Sequence, residues 1–216
     1  MTQLAGVLFD MDGTLVDSEK VWSVGLAELA VHHGGTLSDA ARHAMVGTNM
    51  AESMRILHED LGRPDLDDAY SVEWLERRVA ELFAAGLLWR PGAADLLTAV
   101  RAAGIPAALV TATSRHLVEV ALETIGAHFF AAVVCGDDLP ETKPHPAPYL
   151  RAAELIGARP AACVAIEDSP NGIRSALAAG CTVLGVPCEV DLGHLADVTL
   201  VDSLEKVDVA YLRGLL

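Results

Sequence analysis

The feature that most constrains this chain is a repeated alternation of short apolar runs with helix-period segments. Runs rich in Val, Leu and Ile recur at Leu4–Phe9, Pro106–Val110, Ala131–Cys135, Ala162–Ile166 and Thr182–Val186. Runs of this length without polar alternation suit strands buried on both faces. Between the later ones the spacing predicts helices over Ala93–Ala103, Leu117–Ile125, Ala147–Gly157 and Asn171–Ala179, several ended by a glycine that can close a helix. Strand alternating with helix predicts an α/β fold, a parallel sheet with helices on both faces.

Residues 18–87 interrupt that alternation with helical patterns alone: Glu19–His32, Ser38–Met45, Met50–Leu61 and Leu66–Phe83. The chain therefore divides on paper into a core of residues 1–17 and 88–216 and an inserted helical domain of residues 18–87. Thr14–Asp17 and Gly86–Gly92 would be the linkers. At 216 residues and 52% hydrophobic content, one core with a small insertion is the natural size.

Charge narrows the partners. A net charge of -15 with only 15 basic residues gives no general attraction to nucleic-acid backbones or anionic membranes. No apolar run approaches about 18 residues, and the N-terminus lacks a basic-then-apolar leader pattern, so a cytoplasmic protein is expected. The cysteines at 135, 163, 181 and 188 form no CxxC pair and read as reduced core thiols rather than a zinc site. A monomer is expected, with a weak dimer as the alternative.

In open parallel sheets, ligands bind beyond the carboxyl ends of the strands. The polar residues there are Asp10 and Asp12 after the first run, Thr111 after the second, Lys143 beyond the third, and Glu167 with Asp168 after the fourth. Carboxylates and a backbone carbonyl gathered at one edge form a hard-oxygen site suited to Mg2+. With a lysine and a hydroxyl they supply what phosphoryl transfer needs, positioning and neutralisation of charge on the equatorial oxygens. Lys143 is one of only three lysines and precedes Pro144 at a strand-to-helix junction. An isolated Asp-Gly-Thr would read as a turn or a helix cap. Six polar positions in one order favour chemistry.

Asp10-Met11-Asp12-Gly13-Thr14, Thr111, Lys143-Pro144 and Glu167-Asp168-Ser169 together resemble the four motifs of the haloacid dehalogenase superfamily. The helical insert after the first motif resembles the small cap of the beta-phosphoglucomutase-like subfamily. This resemblance implies a Rossmann-like core with an α-helical cap. It also implies that Asp10 is the phosphoryl-accepting nucleophile and Asp12 the general acid and base. By the same resemblance Thr111 and Lys143 hold the phosphoryl group, and Asp10, the Asp12 carbonyl and Asp168 bind Mg2+ with Glu167 beside them.

The second aspartate argues against true dehalogenation, where no alcohol needs a proton. A phosphonatase would use a cap lysine, and Lys20 has nothing to mark it as desolvated. A phosphosugar mutase of the beta-phosphoglucomutase type is the closest alternative. Mutase caps usually present a histidine and an arginine where this chain has Trp22 and, in Val46-Gly47-Thr48-Asn49-Met50, Met50. Without that cationic grip a bisphosphate would be poorly held, so water is the expected acceptor. The reading is a phosphatase for a sugar phosphate or similar small monoester. Glu19, Trp22, Thr48, Asn49, Met50, Ala112 and Arg115 are its candidate substrate contacts. A non-catalytic relative that keeps the fold would be expected to have lost a motif residue, and none is missing.

Overall fold

The computed structural model describes residues 3–45 and 48–216. The chain forms two compact units, Met1–Asp17 with Leu88–Leu216, and Ser18–Leu87.

The first unit is built on a parallel sheet. Its strands are β1 Gly6–Phe9, β2 Ala107–Val110, β3 Ala132–Val134, β4 Cys163–Glu167, β5 Thr182–Gly185 and β6 Thr199–Leu200, in the order β3-β2-β1-β4-β5-β6. The Val7, Leu8 and Phe9 side chains, their β2 partners Ala108 and Leu109, and all of β4 are fully buried, as expected where helices cover both faces. Each Leu, Val or Phe side chain removed from water in this way stabilises the unit by about 1.5–3 kcal/mol.

The helices of this unit are α5 Ala93–Ala102, α6 Arg115–Ile125, α7 Ala147–Leu155, α8 Pro170–Ala178 and α9 Val209–Gly214; α1 to α4 belong to the second unit. Helix α7 packs on β1, β2 and β3, and α8 on β4 and β5. Tyr149, Ala152 and Ala153 of α7 join Leu8, Val110, Ala165, Ile173 and Ala176 in one apolar cluster. The five predicted strands and four predicted helices of the core are all present. The exposed two-residue edge strand β6 and the short α9 are additions.

Strand order fixes where a ligand can bind. The chain leaves β1 toward β2 on one side, and β4 lies on the other, so the sheet's switch point falls between β1 and β4. Register aligns Phe9 with Leu109 on one side and Ile166 on the other. Asp10 therefore emerges level with the ends of both neighbouring strands.

The second unit contains α1 Glu19–His32, α2 Asp39–Met45, α3 Met50–Asp60 and α4 Asp68–Ala84. Leu26 and Leu29 of α1, Met54 and Leu57 of α3, and Leu75, Val79 and Phe83 of α4 are its buried apolar residues. A Cβ built on Gly25 would lie 3.0 Å from Leu75 Cδ1, so α1 and α4 approach closely there. A polar chain ties three helices together. His58 Nδ1 lies 3.0 Å from Asp68, and both His58 Nε2 and His33 Nε2 meet the buried Ser71 hydroxyl, at 3.0 and 2.9 Å. Among the described residues, no helix is long and apolar enough to cross a membrane.

Candidate active site

Asp10 follows β1 directly, and its backbone N–H still donates to Ile166 O at 3.0 Å. The chain then turns sharply. Leu15 N and Val16 N both donate to Met11 O, and Gly13 N donates to Val16 O. Gly13 has φ +77°, and a Cβ there would lie 2.0 Å from Asp168 Oδ2. Only glycine satisfies both the backbone angle and the approach of Asp168. The turn therefore brings the first and last motifs into contact.

Lys143 lies in the loop between β3 and α7, and its side chain is 6% exposed. Its ammonium donates to Asp10 Oδ1 at 2.7 Å, to Glu167 Oε1 at 2.6 Å and to Val110 O at 2.9 Å. An ammonium has three donors, and these contacts use all of them. Glu167, at the end of β4, is fully buried. Its Oε1 also accepts from the Tyr149 hydroxyl at 2.7 Å, and its Oε2 from Asp168 N, Ser169 N and Ser169 Oγ. Five donors meet a carboxylate with roughly four lone-pair sites, so Glu167 is saturated.

Thr111 Oγ1 and Thr113 Oγ1 donate to Asp12 Oδ2 at 3.1 and 2.7 Å. Thr113 N donates to Thr111 Oγ1 in turn, which orients the Thr111 hydroxyl. The turn after β2 is packed against the start of the β3–α7 loop: Gly136 N donates to Thr113 O, and a Cβ on Gly136 would lie 2.0 Å from Ala112 O.

The electrostatics follow from burial. Desolvation pushes the Asp10 carboxyl up to about 7; Lys143 pulls it down, but Glu167 and Asp12 add to the rise. Lys143 itself is desolvated, yet Asp10 and Glu167 hold it above the ordinary lysine range. Burial and the same anions raise the Tyr149 phenol well above its usual value. Asp10 Oδ2 is buried and accepts no hydrogen bond. Oxygens of Asp10, Glu167 and Asp168 lie within 4.8 Å of one another. A buried anionic oxygen without a donor, facing further carboxylates, fits a hard divalent cation.

Residues 4–180 match the haloacid dehalogenase-like hydrolase family. The chain belongs to that family. It is 36% identical to hexitol phosphatase A of Escherichia coli K12 over 94% of this chain and 93% of that protein. It is 32% identical to phosphoglycolate phosphatase of Shigella dysenteriae serotype 1, over 93% of this chain and 88% of that one. Among solved structures, CbbY from Rhodobacter sphaeroides in complex with xylulose-(1,5)bisphosphate superimposes with a TM-score of 0.85 at 27% identity, covering 97% of this chain and 99% of that chain.

In this haloacid dehalogenase-like hydrolase, Asp10, Asp12, Thr111, Lys143, Glu167 and Asp168 converge at the edge predicted from sequence. The remaining candidates have visible local roles. Arg115 donates to Asp138 and to Val133 O, so its guanidinium is engaged beside the strand ends. Ala112 is exposed between the two threonines. In the helical unit, Asn49 caps α3 by accepting from Glu52 N, and Thr48 Oγ1 donates to Met45 O. Glu19 pairs with Arg42 at 3.5 Å. Trp22 is half-buried, edge-on to Phe83 at 6.3 Å, and Met50 is half-buried at the start of α3. Val46 and Gly47 of the predicted glycine-led loop lie outside the described residues.

Sequence reasoning missed Thr113, Tyr149 and Gly172. A threonine two residues past a strand and a tyrosine on an apolar helix face give no local signal. Gly172 had a stronger one: glycine at the third position of a helix is unfavourable unless something needs the space.

Proposed function

We propose that this hydrolase is a Mg2+-dependent phosphatase that hydrolyses a small phosphate monoester, a sugar phosphate or similar metabolite, through an aspartyl-phosphate on Asp10. One observation carries the reading: a buried carboxylate at the end of the central strand has one oxygen on Lys143 and the other without a donor, beside two further acidic residues. The names of the relatives, a hexitol phosphatase and a phosphoglycolate phosphatase, support the substrate class.

In the first step an Asp10 oxygen attacks phosphorus and the ester P–O bond breaks. Asp12 gives its proton to the departing alkoxide. In the second step water attacks the aspartyl-phosphate, Asp12 accepts the water's proton, and the Asp10–phosphorus bond breaks to release phosphate. Lys143 and Thr111 would hold the transferring oxygens. The Thr111 and Thr113 hydroxyls both donate to Asp12 Oδ2 and so orient the Asp12 carboxyl for these transfers. Mg2+, held by Asp10, the Asp12 carbonyl and Asp168, would neutralise charge building on the phosphoryl group. Saturated by five donors, Glu167 serves as an organiser beside the ion.

Ser18–Leu87 would act as the cap that carries specificity, through Glu19, Trp22, Thr48, Asn49 and Met50. Hydrolysis of p-nitrophenyl phosphate with and without Mg2+, in the wild type and Asp10→Asn, tests the chemistry: equal rates in the two proteins would refute it. A panel from sugar phosphates to nucleotides then defines the substrate. Conversion of beta-glucose 1-phosphate to glucose 6-phosphate with a bisphosphate primer would instead assign a mutase.

A further inference from the structure

Lys143 is buried, and its three donors reach three different acceptors. Where the ammonium sits between Asp10 and Glu167 depends on how strongly each carboxylate draws it. Glu167 Oε1 does not face Lys143 alone, because the Tyr149 hydroxyl donates to the same oxygen at 2.7 Å. The Tyr149 ring also lies beneath the ammonium, with Nζ 5.2 Å from the ring centroid. A cation over an aromatic face is attracted to it, so the ring is a third restraint on the lysine. Tyr149 is fully buried in the α7 cluster, which fixes the ring, and α7 packs on the strands that carry Asp10 and Thr111.

We infer that Tyr149 is a positioning residue for phosphoryl transfer: its hydroxyl satisfies Glu167 and its ring backs Lys143, so that the ammonium is delivered to Asp10 rather than captured by Glu167. This rests on the proposed roles of Asp10 and Lys143. The Lys143 ammonium and the Tyr149 hydroxyl compete for one oxygen, Glu167 Oε1. Without the hydroxyl, Glu167 Oε1 has one strong donor left, and Lys143 moves toward it and away from Asp10. A donor to a carboxylate is a charge-assisted bond, roughly twice as strong as a neutral one, so its loss should be felt at the neighbouring lysine. Phosphoryl transfer depends on position more than on any single covalent step, so a small displacement of the cation matters.

Tyr149→Phe isolates the hydroxyl, since it keeps the ring and its packing. With p-nitrophenyl phosphate and saturating Mg2+, kcat should fall about tenfold while KM stays within about twofold, the loss of one charge-assisted contact felt in the transition state. The near-ultraviolet circular dichroism should match that of the wild type, which excludes a smaller folded fraction as the cause. Glu167→Gln and the double variant complete the test. If the hydroxyl acts through Glu167, adding Tyr149→Phe to Glu167→Gln should change kcat by less than about twofold. Wild-type kcat in Tyr149→Phe would overturn the inference, as would losses that multiply in the double variant. Asp10→Asn, assayed in parallel, separates the two levels: if it retained activity the phosphatase reading itself would fail, whereas an inactive Asp10→Asn beside an unaffected Tyr149→Phe would remove only the role of Tyr149.

Discussion

Gly172→Ala should destabilise the protein and cripple turnover, although helix propensity alone predicts a gain. Gly172 is the third residue of α8, and its N–H donates to the capping Ser169 hydroxyl at 3.1 Å. Replacing glycine by alanine inside a helix ordinarily stabilises by about 1 kcal/mol. Here the new Cβ would lie 1.7 Å from Glu167 Oε1 and 2.1 Å from Oε2. A flexible exposed side chain would step aside. Glu167 cannot, because it is fully buried and held by Lys143, Tyr149, Ser169 and two backbone N–H groups. Overpacking costs about 1–3 kcal/mol, and loss of even one charged hydrogen bond adds about 1.5–3 kcal/mol. Set against the propensity gain, the net loss centres on about 3 kcal/mol.

Urea denaturation followed by far-ultraviolet circular dichroism measures that loss as a lower midpoint. The same shift of Glu167 draws Lys143 from Asp10, so kcat should fall at least about 100-fold, equivalent to about 2.7 kcal/mol in the transition state. Gly214→Ala is the matched control, since a Cβ there meets nothing within 4 Å. It should leave kcat unchanged and stability equal or slightly higher. A Gly172→Ala protein more stable than wild type, with kcat within twofold, would refute the claim that Glu167 is pinned.

Thr113→Val keeps the shape but removes the 2.7 Å donor from Asp12 Oδ2, and steady-state kinetics should show kcat lowered about tenfold with little change in KM. With its carboxyl pushed up to about 7, Asp10 is protonated below that pH and must lose the proton to bind a cation, so Mg2+ affinity should rise with pH through 7 and level off above it. Calorimetry at pH 6 in buffers of different ionisation enthalpy should detect proton release on Mg2+ binding, falling toward zero at pH 8.5; the same release at both would contradict it. Burial, then His32, His58 and Arg63, lowers His33 from its ordinary 6.5, so its neutral form is favoured on folding. The unfolded chain then takes up its proton first as pH drops below 6.5, and the stability that depends on neutral His33 is full above that value and lost below it. His33→Gln should flatten the fall in urea midpoint between pH 7.5 and pH 5.5 relative to the wild type; an unchanged slope would exclude His33 as its source.

What could be read from the residues, and what could not, divides along a physical line. Buried parallel strands need continuous apolar runs, so β1, β2 and β4 announce themselves, and the polar residue after each is conspicuous because the preceding run is not. Asp10, Thr111 and Glu167 with Asp168 were legible for that reason, and Lys143 because lysine is rare here. β6 was not, since two exposed edge residues carry no burial pattern. Tyr149 and Gly172 were also hidden, for a different reason. Their importance lies in a meeting with Glu167 from two different helices, α7 and α8, and no one-dimensional period encodes a contact across helices. The helix pattern even argues the wrong way for both, since it makes Tyr149 one more core residue and Gly172 a weak spot. Such positions, where local preference is overridden by one specific contact, are where a site's supporting structure should be sought. Here that structure converges on Glu167, a residue read from the sequence as a companion to the metal and found to join the lysine, the tyrosine and the N-terminal end of α8 through a single carboxylate.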